Sequence, residues 1–327
     1  ELLSLALPAL LAPGNLPAVA AAVPCEVVLL TEERFFSKVL SHRAVVGVRA
    51  LCPLRLVGLD DLVSNKDKYG MALTYALYRG FSDLGSAMTE AWMIFLNADF
   101  ILADGSLRKL LSYLSRGNRL IAAPSYCANS TEVRPRLLEY IDRETGELSV
   151  SPRAMANLIL NQRHNTIRAK TVNQSAYHFH YMDQFYWQVD DHTLLGYQMP
   201  VAMVAMRPER YVAEPNSYWD YGLLREFCPE GRPTVLGDSD EFLMLELREP
   251  ETFQALLKPG RPDPKEVGRR MIVWVTPYQR DFAQYPLTLH DRDLPEKIQV
   301  AREALRGFVD QVLSHCPALP SHIDHPQ

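Results

Sequence analysis

The chain is predicted to be an α/β protein built on a doubly wound, mainly parallel central sheet. Three observations carry that reading. Apolar, β-branched runs alternate with amphipathic helical stretches from Cys25 to Pro124, the pattern of a sheet covered by crossover helices. The run Trp92-Met93-Ile94-Phe95-Leu96 holds no charge and stops at Asn97-Ala98-Asp99, as a buried parallel strand does at the sheet edge. Acidic residues recur where such runs end, at Asp60-Asp61, Asn97-Ala98-Asp99 and Asp238-Ser239-Asp240-Glu241. Open α/β sheets bind their ligands beyond the carboxyl ends of strands, so these three stretches are the first candidates for function.

Bulk properties narrow the class. The 327 residues are 47% apolar and 22% charged, ordinary for a globular enzyme. A net charge of −5 gives no electrostatic footprint for nucleic acid. Cys25, Cys52, Cys127, Cys228 and Cys316 are odd in number and scattered, with no Cys-x-x-Cys pair; they read as reduced thiols of a cytosolic protein. The most apolar stretch, Leu2 to Val23, is broken by Pro8, Pro13, Gly14, Asn15 and Pro17, so no transmembrane segment is expected. Glu1 stands where a signal peptide carries basic charge, and Glu1 to Leu5 reads as helix already under way, as though a first strand lay upstream. The expected location is cytoplasmic, with peripheral contact at the inner face of a membrane.

Taken in order, Cys25 to Thr31 reads as a strand leading through Glu32-Glu33 to a helix near Arg34 to Leu40. Val45 to Val48 and Leu54 to Leu59 read as further strands on β-branched content. Tyr69, Leu73, Ala76, Leu77 and Gly80 fall at helical spacing, with Lys66, Lys68 and Arg79 at the edges. After the strand ending at Asn97-Ala98-Asp99, with Leu96 buried, Ser106 is expected to cap a helix whose apolar face is Leu107, Leu110, Leu111 and Leu114. Gly117-Asn118 breaks it before the strand Leu120 to Pro124. Arg134 to Ile141 and Pro152 to Gln162 read as helices. An aromatic, histidine-rich run from Tyr177 to Trp187 follows, then a strand pair, Leu194 to Gln198 with Val201 to Arg207. The loop Tyr218-Trp219-Asp220-Tyr221 is rich in stacking groups. A last amphipathic helix, Glu296 to Leu313, precedes a tail expected to be disordered.

The acidic strand ends offer hard oxygen ligands suited to Mg²⁺ or Mn²⁺. Such an ion offsets charge on a phosphate leaving group, and a carboxylate off the metal can take a hydroxyl proton. Each stretch alone also reads as a capped or solvated turn. His178 and His180 alternate on a strand-like run and, with His192, form a candidate transition-metal set; the alternative is packed core histidines. His290, in Thr288-Leu289-His290-Asp291, is placed to reach metal or phosphate, or to lie in a surface loop. No P-loop, no Gly-x-Gly-x-x-Gly and no Gly-x-Ser-x-Gly is present, which disfavours P-loop NTPases, Rossmann oxidoreductases and serine hydrolases.

The strand ending Thr31-Glu32, the terminus Asp60-Asp61 and above all Phe95-Leu96-Asn97-Ala98-Asp99-Phe100 resemble the GT-A class of nucleotide-sugar glycosyltransferases, of the kind used in bacterial polysaccharide biosynthesis. The motif is similar to the Asp-x-Asp of that class, with Asn97 in place of its first Asp. The resemblance implies a GT-A-like domain over residues 1–295, with a nucleotide-sugar-binding half at 24–126 and an acceptor half at 127–295, followed by a C-terminal helix and tail at 296–327. It implies a donor side of Thr31, Glu32, Asp61, Lys68, Asn97 and Asp99, and Mn²⁺ or Mg²⁺ held by Asp99 and His290. It further implies an acceptor side of Tyr218, Trp219 and Asp220, binding a saccharide or glycolipid. Catalytic carboxylates come from Asp240, Asp238 and Glu241, with Asp240 as the first choice of base because Asp238 and Asp240 share a face of an alternating strand. Two other readings stand beside it: a sugar nucleotidylyltransferase, and a catalytically degenerate transferase-like domain that binds a sugar or a partner, which Asn97 favours.

Overall fold

A computed structural model of the chain describes residues 1–63, 69–179, 181–199, 203–219, 222–271 and 277–317. The fold is mixed α/β. Its main elements are β1 (Val27–Thr31), β2 (Leu54–Gly58), α1 (Tyr69–Arg79), β3 (Met93–Phe95), β4 (Phe100–Leu102), α2 (Ser106–Leu114), β5 (Leu120–Ala123), β6 (Tyr126–Asn129), α3 (Pro152–Asn161), β7 (Gln184–Asp190), β8 (Thr193–Gln198), β9 (Met203–Met206), β10 (Met244–Arg248), β11 (Leu287–His290) and α4 (Ile298–Ser314). They gather into two compact units, one of residues 1–122, 140–149 and 203–234, the other of 123–139, 150–202 and 235–327. Among the described residues, no helix is long and apolar enough to cross a membrane.

The first unit contains the parallel pair β1–β2, in register from Val27 opposite Leu54 to Thr31 opposite Gly58. β3 runs antiparallel to β9, so parallel pairing describes only part of the unit. Val45 to Val48 is not a strand but part of a helix, Arg43–Leu51. His42 Nδ1 accepts the Ala44 N–H at its start (3.3 Å), and Val45 and Val48, one helical turn apart, are fully buried while Val46 faces solvent. The three-residue apolar spacing overrides β-branched propensity, as tertiary packing often does.

The helix after Asp99 also differs from expectation. Ser106 is its first residue, buried, and Gly105 occupies the cap position with φ 92°. The side-chain cap arrives from far away in sequence. Asn15, fully buried, accepts the Leu107 N–H on its Oδ1 (3.1 Å) and donates through Nδ2 to the carbonyls of Ala9 (2.9 Å) and Ala103 (3.1 Å). The amino-terminal helical stretch is thereby tied to α2, and the orphan N–H groups at the start of a helix are the reason such a tie stabilises it. Leu107 and Leu110 are buried as expected, whereas Leu96 is only half-buried because β3 ends at Phe95.

The second unit is organised by the antiparallel sheet β7–β8–β11, with β8 in the middle. The expected pairing of 194–198 with 201–207 is therefore replaced: β8 bonds β7 and β11, and β9 bonds β3. α4 lays Leu305, Val309 and Val312, all fully buried, into the same core cluster as Phe185 and Leu195. β6 and β10 form a parallel pair, from Tyr126 opposite Leu245 to Asn129 opposite Arg248. The tail from Ala318 onward lies outside the described residues.

Candidate functional site

The second unit brings two of the sequence candidates together at the end of β11. The segment after Gly237 runs alongside that strand. Thr288 N–H donates to the Gly237 carbonyl (2.7 Å), and Ser239 N–H donates to the Thr288 carbonyl (2.9 Å). Gly237 is required for this approach: a Cβ there would collide with the Pro286 carbonyl. Ser239, 1% exposed, accepts the His290 N–H on its Oγ (3.1 Å) and donates to the His290 carbonyl (3.3 Å). Beyond it the chain turns tightly, with Asp240 N–H on Asp238 Oδ1 (2.9 Å) and Glu241 N–H on the Asp238 carbonyl (3.0 Å).

Asp238 and Asp240 do share a side, but the turn sets it and strand alternation does not. Both face His290, whose side chain is 4% exposed. His290 Nε2 lies 3.0 Å from Asp238 Oδ1 and 3.9 Å from Asp240 Oδ2. The other ring nitrogen, Nδ1, donates to the Arg292 carbonyl (2.6 Å). With Nδ1 committed as a donor, Nε2 is bonded to the Asp238 carboxylate only if it too carries a proton. The Asp238 hydrogen bond accordingly raises the His290 pKa above its ordinary value, against the opposing effect of burial. Burial alone would raise Asp238, but the His290 bond and the Asp240 N–H outweigh it, and its carboxyl sits below the usual range.

A divalent cation can replace that proton. One ligand atom each from Asp238, Asp240 and His290 lies within 4.8 Å of the others. Two carboxylate oxygens and an imidazole nitrogen fit Mn²⁺ better than Mg²⁺, which prefers an all-oxygen shell. Arg153 supplies positive charge to the cluster, bonding Asp240 Oδ2 (3.0 Å) and Asp293 (2.9 Å).

A second acid–imidazole pair stands just beyond the end of β11. Asp291 Oδ1 lies 3.0 Å from His192 Nδ1, and Asn157 Nδ2 donates to Asp291 Oδ2 (2.5 Å). Asp291's carboxylate is 4% exposed and His192 is 36% exposed. Arg153 was not foreseen as a partner of the acidic stretch, nor Asn157 and His192 as partners of Asp291. One signal was present: Arg153 and Asn157 are four residues apart on α3 and so share its face. The proposed His178–His180–His192 set finds no support: His178 Nδ1 is engaged with the Gly260 carbonyl (3.0 Å), His192 with Asp291, and His180 lies outside the described residues. Glu241 is half-buried, next in the turn.

The remaining candidates lie in the first unit. Thr31 ends β1 opposite Gly58, and Glu32 pairs with Arg34 (2.8 Å). Asp60 Oδ2 accepts the Glu33 N–H (2.9 Å). Asp61 is held by Arg79 in a two-point pair (2.6 and 2.7 Å), which lowers its carboxyl to about 2. Asn97-Ala98-Asp99 forms a turn between β3 and β4, closed by Phe100 N–H on the Asn97 carbonyl (3.1 Å); Asn97 and Ala98 are exposed and Asp99 half-buried. Trp219 packs edge-on against Phe95, ring centroids 4.6 Å apart. The loop before it is anchored by the buried Thr74, whose Oγ1 donates to the Ser217 carbonyl (3.1 Å). Tyr218 is half-buried beside Trp219. Lys68 and Asp220 lie outside the described residues.

Burial raises the thiols of Cys52, Cys127, Cys228 and Cys316, which makes them poor nucleophiles. Burial pushes Cys127 up to about 11, and Glu246 adds to the shift. Cys52 is likewise pushed up to about 11 by burial and by Cys25, its neighbour at the start of the β1–β2 pair.

Comparison of the sequence with family models and with curated proteins, and of the fold with solved structures, finds no match.

Proposed function

We propose that this chain is a nucleotide-sugar-dependent glycosyltransferase that uses a divalent cation, Mn²⁺ or Mg²⁺, and passes a sugar to a hydroxyl of a saccharide or glycolipid. The observation that carries the reading is the meeting of Asp238 and Asp240 with the buried His290. Three residues chosen for metal and proton chemistry, from two stretches about fifty residues apart, share one small volume. Thr31 and Asp60-Asp61, at the carboxyl ends of the parallel strands β1 and β2, support a donor-binding role for the first unit. By the resemblance, Asn97-Ala98-Asp99, in the turn after β3, would reach the diphosphate.

In this reading Asp238, Asp240 and His290 hold the cation when it is bound, and the cation supplies charge stabilisation for a diphosphate leaving group. Ser239 and Gly237 keep the two carboxylates on His290. Arg153 balances Asp240 and reaches Asp293. Taken by itself, the first unit offers Asp99 to a donor and Trp219 with Tyr218 as an apolar face for a sugar ring.

The test is a panel of nucleotide sugars incubated with the purified chain, with Mn²⁺, with Mg²⁺ and with a chelator, scored for binding, hydrolysis and transfer. Cation-dependent turnover that Asp99→Ala abolishes is the expected result. Binding without turnover in any metal supports the degenerate binding domain, and release of pyrophosphate from a nucleoside triphosphate and a sugar phosphate supports the nucleotidylyltransferase.

A further inference from the structure

We propose that Cys25 and Cys52 are an oxidative modification site: with a small-molecule disulfide they close a reversible intramolecular disulfide that ties β1 to β2 at their amino ends. The proposal concerns the first unit alone and does not depend on the transferase reading.

The parallel register sets the two thiols side by side. Val27 stands opposite Leu54, and the Val27 N–H donates to the Pro53 carbonyl (2.9 Å). Two residues back on each strand stand Cys25 and Cys52. Cys52 is already extended, with φ −155° and ψ 165°. Side chains of extended chain repeat every second residue, so both thiols leave on the face of Val27 and Leu54. Neighbouring strands lie about 4.8 Å apart, inside the Cα separation of about 4.4–6.8 Å that a disulfide spans. The two side chains are hydrogen-bonded to each other. Cys52, 8% exposed, belongs to an apolar cluster with Leu7, Val45 and Val48, and Cys25 packs half-buried against that cluster.

The other thiols are placed differently. Cys127 Sγ accepts from Arg248 Nε (3.3 Å), Cys228 Sγ donates to the Arg207 carbonyl (3.6 Å), and Cys316 Sγ donates to the Val312 carbonyl (3.4 Å). Each is engaged by backbone or a charged side chain, not by a second thiol. The Cys25–Cys52 pair is also reachable. An open cleft of about 510 Å³ is lined by Arg49, Ala50, Leu51, Cys52, Pro53 and Leu54. Arg49 is exposed there, which favours an anionic thiol compound such as glutathione.

The oxidant is a small-molecule disulfide, and the exchange takes two steps. Cys25, the more exposed thiol, loses its proton to water and attacks one sulfur of the oxidant. A bond forms from Cys25 Sγ to that sulfur, the oxidant's own S–S bond breaks, and the first thiolate leaves with the electron pair and takes up a proton. Cys52 then loses its proton and attacks Cys25 Sγ. The mixed disulfide breaks and the second thiolate leaves and is protonated. Two protein thiols are oxidised to one disulfide, and the oxidant is reduced to two thiols. Burial and Cys25 push the Cys52 thiol up to about 11, so the second step is the slow one, on the scale of minutes to hours.

A purely structural role, two small side chains closing the edge of an apolar cluster, predicts no cross-link. In the experiment the fully reduced, folded chain is incubated with oxidised glutathione, quenched in acid, alkylated with N-ethylmaleimide in denaturant, digested and mapped by mass. The proposal expects a peptide linked through Cys25 and Cys52 to become the main form and to disappear on treatment with dithiothreitol, while Cys127, Cys228 and Cys316 are recovered alkylated. The oxidised chain is expected to unfold at a higher denaturant concentration than the reduced one, because the cross-link restricts the unfolded chain. Cys25→Ser removes both the link and that shift. The link is read on the wild-type chain, so the outcome does not rest on a variant that folds. Glutathione held on Cys25 with no link to Cys52, a link to any other cysteine, or a link between two chains overturns the proposal. So does a link whose rate of formation climbs steeply in urea below the unfolding transition, since it then forms in opened chain and not from the native register.

Discussion

Asn97-Ala98-Asp99 and Asp238-Ser239-Asp240 share a spacing, a polar group on each side of one small residue, and have opposite surroundings. In the first, the middle residue and Asn97 are exposed in a turn. In the second, the middle residue is buried and bonded twice to the backbone of His290, so the flanking carboxylates are held on a buried imidazole. Spacing alone thus does not make a rigid ligand set. The anchoring of the small residue between the two polar groups does, because it fixes where both side chains leave the backbone.

The strongest way to break this comparison is His290→Ala. It removes the partner of Asp238 and one proposed cation ligand, and if the chain is a cation-dependent transferase its turnover should fall by at least about 10². Stability should drop by about 1–3 kcal/mol, toward the low end because Asp238 is more than a third exposed. Chemical denaturation and a metal titration measure the two effects. Asn97→Ala is the matched control, with stability expected within about 0.5 kcal/mol of wild type. Equal destabilisation by the two would remove the contrast.

Gly237→Ala and Ser239→Ala test the anchoring itself. A Cβ at Gly237 meets the Pro286 carbonyl, and strain of this kind costs about 1–3 kcal/mol. Ser239→Ala leaves the His290 N–H without its Oγ partner, costing about 1–2 kcal/mol. Both should weaken Mn²⁺ binding, read by calorimetry, although neither variant removes a ligand.

Acidity sharpens the comparison further. His290 has a raised pKa, so its contribution is fully present below the ordinary histidine value, about 6.5, and is lost as pH rises through the raised one. Asp238 has a lowered pKa, so its contribution is present above the ordinary aspartate value and is lost as pH falls through the lowered one. The pair therefore stabilises most strongly between the ordinary aspartate and histidine values. A stability-against-pH curve of His290→Gln should lose both flanks relative to wild type. Bound cation competes with the His290 proton, so metal affinity should rise with pH across the same alkaline flank.

The smallest effect concerns the first unit. Cys52, pushed up to about 11, should react with iodoacetamide at pH 8 far more slowly than a free thiol, since only the thiolate is nucleophilic. Mass mapping of the alkylated peptides reads this directly. Rapid labelling would show that the start of the β1–β2 pair opens readily.

Local sequence determined a good deal of this molecule. The apolar periodicity of α3 and α4 put both helices within a residue or two of expectation. The polar breaks at Thr31, Asp60 and Asn97 placed the ends of β1, β2 and β3, and the carboxylates after Gly237 stood out as a candidate cluster because several charges follow an apolar run. Those signals act over a few residues, through hydrogen bonds and side-chain period. What tertiary structure decided was partnership. Helix Arg43–Leu51 overrode a β-branched run because one face of it could be buried. Asn15, and not Ser106, caps α2 across ninety residues of chain. β8 chose β7 and β11 over its sequence neighbour β9. His290, the last residue of β11, and Asp291, just beyond it, were sent to a carboxylate and an imidazole partner respectively. Each of these depends on which distant backbone arrives alongside, and the free energy of that choice comes from burial summed over a whole unit, which no local window contains.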